Sequence, residues 1–322
     1  MHGPSGLVGH RDWPRFKALA IARTGLGYYA DKDELLADRL ADRLACHASL
    51  DLTGYLALLE GEPLDGIEAE ALVAAITIGE TSFFRDAEQL EALIRYAVPD
   101  RAAQHRADRH LEVWSAGCAN GAEVYSVAMM LRSHPLVGNW QLRVLGTDID
   151  RTALAEAVIG EYGAWSLRGM RVEANFTAAG PRWRVTDVFR RGVEFRHHNL
   201  VTDPPPVAGG GSGFDIVLCR NVLMYFAPPQ RRVALAGIRR SMAEGGWLAV
   251  GCAEVCPEMD DMFTPVRLPH ATLYRKTGKF LAEGPLPDGD VGFHMGIAFD
   301  HLDDARAAMA TLRGLLSTKG DS

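Results

Sequence analysis

Residues 114–126, WSAGCANGAEVYS, and the acid-ended stretch GTDID at 146–150 are where this sequence first offers chemistry. Gly117 and Gly121 follow an apolar run, Leu111-Glu112-Val113-Trp114. A helical pattern comes next, with Val124, Val127, Ala128 and Leu131 on one face. Glycine lets a backbone approach a ligand closely and take positive φ. Strand, glycine turn and helix in that order present a ligand crevice at the carboxyl end of a parallel sheet. The spacing falls short of the full G-x-G-x-x-G fingerprint, so alone it also fits a tight turn that binds nothing. Asp148 adds weight. It stands about thirty residues beyond Gly117, at the end of a second apolar run. A carboxylate there can accept hydrogen bonds from both hydroxyls of a ribose. Alternatively, Asp148 or Asp150 only caps the helix that begins at Arg151. Together these features point to nucleoside binding.

Several elements must position that crevice. Residues 214–226, FDIVLCRNVLMYF, begin as a buried strand and turn polar at Arg220-Asn221, where a strand's carboxyl end enters the same crevice. Residues 76–86, ITIGETSFFRD, read as a loop feeding a helix capped by Thr81 or Ser82, or as a ligand lid at a domain junction. Residues 1–12 are expected to be disordered, and residues 13–80 to be helical. Leu36, Leu40 and Leu44 share one helix face. Arg39 and Arg43 share another, either as a cationic strip or as partners of Asp38 and Asp42. Leu90, Leu93 and Ile94 continue a helix, and residues 99–110 read as a linker. After residue 160 the alternation breaks. Short strands at 182–186 and 193–197 suggest a small β insertion over about 162–198, ending at His198-Asn199-Leu200. A Pro- and Gly-rich loop, a helix after Pro228-Pro229, a strand at 247–252 and a terminal strand pair at 264–276 follow. The tail, 278–322, is loop-like with one amphipathic helix expected at 301–316.

The 322 residues allow one large or two moderate domains. With 48% hydrophobic and 23% charged residues, the composition is that of a soluble globular protein. No apolar run reaches the ~20 residues of a membrane helix, so no membrane insertion is expected, and the location is expected to be cytoplasmic. The net charge of −7 argues against a nucleic-acid partner. Residues 1–80 hold 13 acidic and 7 basic side chains, so much of the negative balance lies there. The five cysteines read as free thiols, and no metal centre is expected at Cys252 and Cys256, which lack further ligands at zinc spacing.

Taken in order, these pieces resemble the CheR-type chemoreceptor glutamate O-methyltransferases, which use S-adenosylmethionine (SAM). Residues 28–44, YYADKDELLADRLADRL, resemble the helical N-terminal domain of that family. ETSFFRD at 80–86, WSAGCANGAEVYS, GTDID, RHHNL at 196–200 and FDIVLCRNVLMYF match its pocket motifs, so the likeness runs from about residue 13 to 276. It implies an α/β fold: a doubly wound, Rossmann-like methyltransferase sheet with a β insertion, preceded by a small all-helical domain. The implied division is 13–80 for substrate recognition, 81–110 as linker and first motif, and 111–277 for SAM binding.

The resemblance carries SAM contacts to Thr81, Arg85, Glu123, Asp148, Asn199, Leu200, Arg220 and Asn221, with Gly79 and Gly117 lining the same motifs. Arg85 and Tyr225 take the places beside the transferring methyl. The implied partner is the cytoplasmic domain of a chemoreceptor, met by a monomer. Four departures stand out. Gly79 replaces a family Asn, and Gly121-Ala122-Glu123-Val124-Tyr125 stands for G-E-E-P-Y. Gly251-Cys252-Ala253-Glu254 stands for G-H-S-E. The N-terminal region is acidic where the family often presents a basic face. Alternatives are a SAM-binding sensory or scaffold module with little turnover, and methylation of another protein or small-molecule carboxylate.

Overall fold

The computed structural model describes residues 4–47, 49–63, 65–168 and 174–277, with a two-residue strand pair beyond them at Leu281–Ala282 and Ile297–Ala298. The helix expected at 301–316 lies outside the described residues.

Five helices come first: α1 (Pro4–Val8), α2 (Trp13–Thr24), α3 (Asp33–Cys46), α4 (Leu52–Gly61) and α5 (Ile67–Ile76). The segment expected to be disordered therefore contains α1, and Leu7 anchors it at 2% exposure. Leu36, Leu40 and Leu44 are buried together on α3. Arg43 does not pair with Asp42. Its guanidinium reaches across to Glu68, at 2.6 and 3.0 Å. Tyr55 and His47 donate to the same carboxylate at 2.6 and 2.7 Å. Burial raises the Glu68 pKa, but these hydrogen bonds win and hold it below its ordinary value. The expected pairing along one helix loses because a buried carboxylate needs a full set of donors, and an exposed Asp does not.

A long helical run follows: α6 (Ala87–Ala92), a wider π turn at Leu93–Ala97, and α7 (Val98–Gln104). The stretch after Pro99 is thus helix rather than linker as far as Gln104. Pro99 falls directly after the π turn, where the hydrogen-bond ladder of the run changes its spacing, so the bond that its missing N–H forfeits is lost at an existing irregularity. Neither Thr81 nor Ser82 caps α6, which starts only after Asp86.

The remainder alternates: β1 (His110–Ala116), α8 (Ala122–Arg132), β2 (Gln141–Asp148), α9 (Arg151–Ile159), β3 (Glu161–Tyr162), β4 (Phe176–Ala179), β5 (Arg182–Val185), α10 (Asp187–Arg190), β6 (Val193–His197), β7 (Phe214–Cys219), α11 (Pro228–Ser241), β8 (Met242–Val250), β9 (Thr264–Leu268) and β10 (Ala271–Arg275). Seven strands form one sheet in the order β6-β2-β1-β7-β8-β10-β9. It is parallel from β6 to β8, and β10 runs antiparallel between β8 and β9. This is a doubly wound sheet whose order reverses between β1 and β7, where a ligand crevice belongs.

The β insertion is smaller than expected. Only β3, β5 and β4 make the separate antiparallel sheet. The segment 193–197 is β6, paired along β2 from Val144↔Val193 to Asp148↔His197. Short strands after a hairpin look alike in sequence, and a nonlocal partner decides which sheet they join.

Alternate residues of β1 face opposite sides. Leu111 and Val113 pack with Val124, Val127 and Leu131 of α8. Trp114 and Ala116 face the other side, in one apolar cluster that also holds Ala234, Leu235 and Ile238 of α11 and Phe16, Leu36 and Tyr55 of the first helices. The N-terminal helices therefore share a continuous apolar interior with the sheet. Among the described residues, no helix is long and apolar enough to cross a membrane.

Candidate active site

All eleven residues singled out in the sequence for cofactor or catalysis line one cleft at the carboxyl ends of β1, β2, β6 and β7. They are Gly79, Thr81, Arg85, Gly117, Glu123, Asp148, Asn199, Leu200, Arg220, Asn221 and Tyr225. The cleft opens to solvent, and the space free of atoms in it, open mouth included, is about 960 Å³.

The glycine loop makes the floor. Gly117 has φ +80° and Gly121 φ +84°. A Cβ on Gly117 would lie 2.4 Å from Val222 Cγ2, and one on Gly121 2.8 Å from Ala157 Cβ. Each position thus needs glycine for conformation and for space. The loop folds back on β2 through Gly117 and Cys118 N–H groups donating to Thr147 O, at 2.8 and 2.9 Å.

Of the two acids, Asp150 is the one that caps the helix. Asp150 is the N-cap of α9, accepting from Thr152 and Ala153 N–H. Asp148 Oδ2 accepts from Ala119 N–H at 2.7 Å, and Oδ1 from Asp150 N–H at 2.9 Å. Each oxygen keeps a further lone pair. Burial pushes the Asp148 carboxyl above its ordinary pKa, against those backbone N–H bonds. A buried carboxylate with acceptor capacity to spare invites two more donors.

Arg220, on the far wall, is enclosed by protein groups. Its Nε donates to Gln89 Oε1 at 2.7 Å, Nη1 to Glu123 Oε2 at 2.9 Å, and Nη2 to Arg85 O at 2.6 Å and Asp86 Oδ2 at 3.0 Å. Glu123 also accepts from Ser115 Oγ at 2.8 Å. Arg220 and Glu123 are therefore mostly spent on each other and on the walls, which they lock together. The Asn199 side chain is engaged as well, donating to Arg23 O of the first helices at 2.8 Å and accepting from Val201 N–H at 2.9 Å.

Arg85 is exposed at the mouth, with Nη1 donating to Glu80 O at 2.9 Å. Tyr225 closes the short turn Leu223–Tyr225. Its ring meets Tyr28 edge-to-face at 5.4 Å, so the first helices touch this corner. Burial raises the Tyr225 phenol pKa, while the nearby Arg85 charge opposes the rise.

Glu254 closes the Gly251–Glu254 motif, and its sequence context alone does not give it a role. Glu254 is 3% exposed. Its Oε2 accepts from Asn221 and Gly251 N–H at 2.6 and 2.7 Å, and its Oε1 from Val222 and Met224 N–H at 2.6 and 3.3 Å. It holds the loop that carries Asn221, itself at φ +60°, and Tyr225. The neighbouring departures, Cys252 and Ala253, are both exposed. The one signal in the sequence is an acid placed soon after a buried strand, at the end of the sheet where the cleft opens.

The family described as CheR methyltransferase, SAM binding domain, matches residues 79–272. The chain belongs to the CheR methyltransferase family. It is 30% identical over 277 residues to chemotaxis protein methyltransferase Cher2 of Pseudomonas putida, covering 83% of this chain and 98% of that one. Chemotaxis protein methyltransferase 1 of Pseudomonas aeruginosa is 31% identical over 273 residues, covering 82% and 97%. Chemotaxis protein methyltransferase 2 of Vibrio cholerae is 29% identical over 278 residues, covering 85% and 95%.

This CheR-family chain is a SAM-dependent methyltransferase, and the cleft suits SAM. It combines a buried carboxylate, apolar walls from Leu90, Ile149 and Phe226, and an exposed guanidinium at the mouth. At Gly79 a Cβ would meet no atom of the described residues within 4 Å, so the wall there is open.

Proposed function

We propose that this enzyme esterifies glutamate side chains in the cytoplasmic domain of a chemoreceptor, for chemosensory adaptation, and acts as a monomer. The observation that carries the reading is that Arg85 and Tyr225 line the same cleft, close enough for the Arg85 charge to act on the Tyr225 phenol. It occurs in a chain whose relatives are named chemotaxis protein methyltransferases.

Bound SAM supplies a methyl carbon on a sulfonium; a glutamate carboxylate, already ionised at neutral pH, would take the methyl as the carbon–sulfur bond breaks and S-adenosylhomocysteine leaves. The protein's task is therefore alignment. Asp148 receives the ribose hydroxyls on its spare lone pairs. Gly117 brings the backbone of the loop close, and Leu200, Asn221, Thr81 and Gly79 shape the walls. Arg220 and Glu123 fix the distance between the glycine loop and the Arg85 segment. Arg85 holds the incoming carboxylate by charge-assisted hydrogen bonds, and the Tyr225 hydroxyl donates to its other oxygen.

The reading is tested by incubating the enzyme with methyl-labelled SAM and receptor cytoplasmic fragments. Base-labile label released as methanol is the expected result. SAM binding with no transfer to any glutamate would favour a scaffold instead. Asp148→Ala should weaken SAM binding by about 1.5–3 kcal/mol, because two hydroxyls lose a charged acceptor. Calorimetry on the folded variant checks this, and unchanged affinity removes Asp148 from the ribose site. Arg85→Lys keeps the charge and loses the planar fork. It should cut turnover at saturating SAM by ~10-fold, about 1.4 kcal/mol, with a smaller change in SAM affinity. Affinity lost with turnover intact would make Arg85 a cofactor anchor only.

A further inference from the structure

At the opposite end of the sheet from the SAM cleft, three side chains converge around the turn between α7 and β1. His105 follows the last residue of α7, Asp108 lies in the turn, and His110 opens β1. His105 Nδ1 and His110 Nδ1 lie 3.2 and 3.3 Å from the same atom, Asp108 Oδ2. All three ligand atoms lie within 4.8 Å of one another. We propose that His105, Asp108 and His110 bind a divalent transition-metal ion of the zinc type, through the two Nδ1 atoms and the Asp108 carboxylate.

Three observations carry this. First, a tetrahedral ion with bonds of ~2.0–2.1 Å sets its ligand atoms roughly 3.3–3.4 Å apart. Both nitrogen-to-oxygen separations, which are hydrogen bonds to Asp108 here, already lie close to that spacing, so an ion could replace the two protons with little movement. Second, each imidazole has a buried carboxylate behind its other nitrogen. His105 Nε2 meets Asp215 Oδ1 at 2.7 Å, and His110 Nε2 faces Glu112 Oε1 at 3.7 Å. Metal-bound histidines are held this way, because the rear carboxylate keeps the proton on the far nitrogen and frees the near one. Third, His110 Nε2 is buried without a hydrogen-bond partner among the described residues. A metal on Nδ1 places the ring proton on Nε2, where it faces Glu112.

The surrounding charges permit the ion. Arg101 is paired with Asp215, and Arg143 with Glu112 and Glu194. Arg109 donates to Asn139. The imidazoles are largely covered, at 11% and 16% side-chain exposure, and Asp108 is open at 58%, which leaves an entry path and a place for water as fourth ligand. Two imidazoles and one carboxylate suit zinc, cobalt or nickel better than magnesium or calcium, which prefer all-oxygen sites. The ion would pin the α7–β1 turn and act on stability, not on the methyl transfer. β1 spans seven residues, so the site lies on the order of 20 Å from the glycine loop.

The test uses the full-length protein stripped with chelator. Titration with Co²⁺ should give visible bands of a nitrogen- and oxygen-ligated tetrahedral ion that saturate at one equivalent, without the thiolate charge-transfer band that the exposed Cys46 or Cys252 would produce. Zn²⁺ should displace the Co²⁺ and raise the thermal midpoint. Asp108→Asn, at an exposed position that tolerates it, should weaken Zn²⁺ binding at least ~10-fold. His110→Gln should abolish the bands while leaving SAM affinity unchanged. Absence of binding by the parent protein overturns the proposal, as do bands that survive in both variants.

Discussion

Arg220→Met should lower the unfolding free energy by about 3–5 kcal/mol and remove SAM binding with it. The guanidinium is 2% exposed and satisfies Glu123, Asp86, Gln89 and the Arg85 carbonyl at once. Methionine fills the volume but leaves Glu123, largely buried, with an uncompensated charge. Truncating one member of a buried pair costs more than the pair contributes, because the survivor stays desolvated. The wall carrying Arg85 would also lose its tie to the glycine loop. Denaturant unfolding should show a lower midpoint at an unchanged slope. A shift equivalent to less than ~1 kcal/mol would mean that water reaches Glu123 and that Arg220 is not the tie between the walls.

Glu254→Ala should reduce turnover by roughly 10²-fold, the cost of a displacement of about 1 Å in a reacting group. Its stability cost, about 2–4 kcal/mol, should be smaller than that of Arg220→Met. Four backbone N–H groups lose their acceptor, and three of them belong to the loop between β7 and Tyr225. Asn221 sits at φ +60°, a conformation that a non-glycine residue keeps only when its surroundings enforce it. Without Glu254 the loop relaxes and Tyr225 leaves its place in the cleft. Asp148, on the other wall, is untouched, so SAM affinity should fall much less than turnover. Stopped-flow or calorimetric SAM binding beside saturated turnover separates the two. Equal losses in both would show that Glu254 supports the whole cleft and not the Tyr225 loop in particular. Glu254→Gln offers one amide oxygen and one amide nitrogen, so two of the four N–H groups would face a donor, and it should fall between the parent and the alanine variant.

Much of this was legible because it is local. Gly117, Gly121 and the α8 periodicity mark a strand, a turn and a helix from neighbouring residues alone, since backbone sterics and one-sided burial act over a few positions. The pocket motifs could be placed on strand ends for the same reason, and all eleven candidates do line one cleft. The functional reading went further only through the family likeness, because no local pattern states that a carboxylate will be methylated.

Choices that depend on a distant partner were settled by the fold. Asp148 and Asp150 are equivalent as sequence, and the difference is that Asp150 caps α9 while Asp148 lines the cleft and holds the glycine loop through Ala119 N–H. Val193–His197 looks like part of the insertion until β2 claims it as the sheet's edge. Arg43 finds Glu68 from 25 positions away, and Arg220 finds Gln89 from 131. Burial makes those choices: once a charge or an N–H leaves water, it must take whichever partner the fold brings within about 3 Å, and sequence separation has no part in that cost.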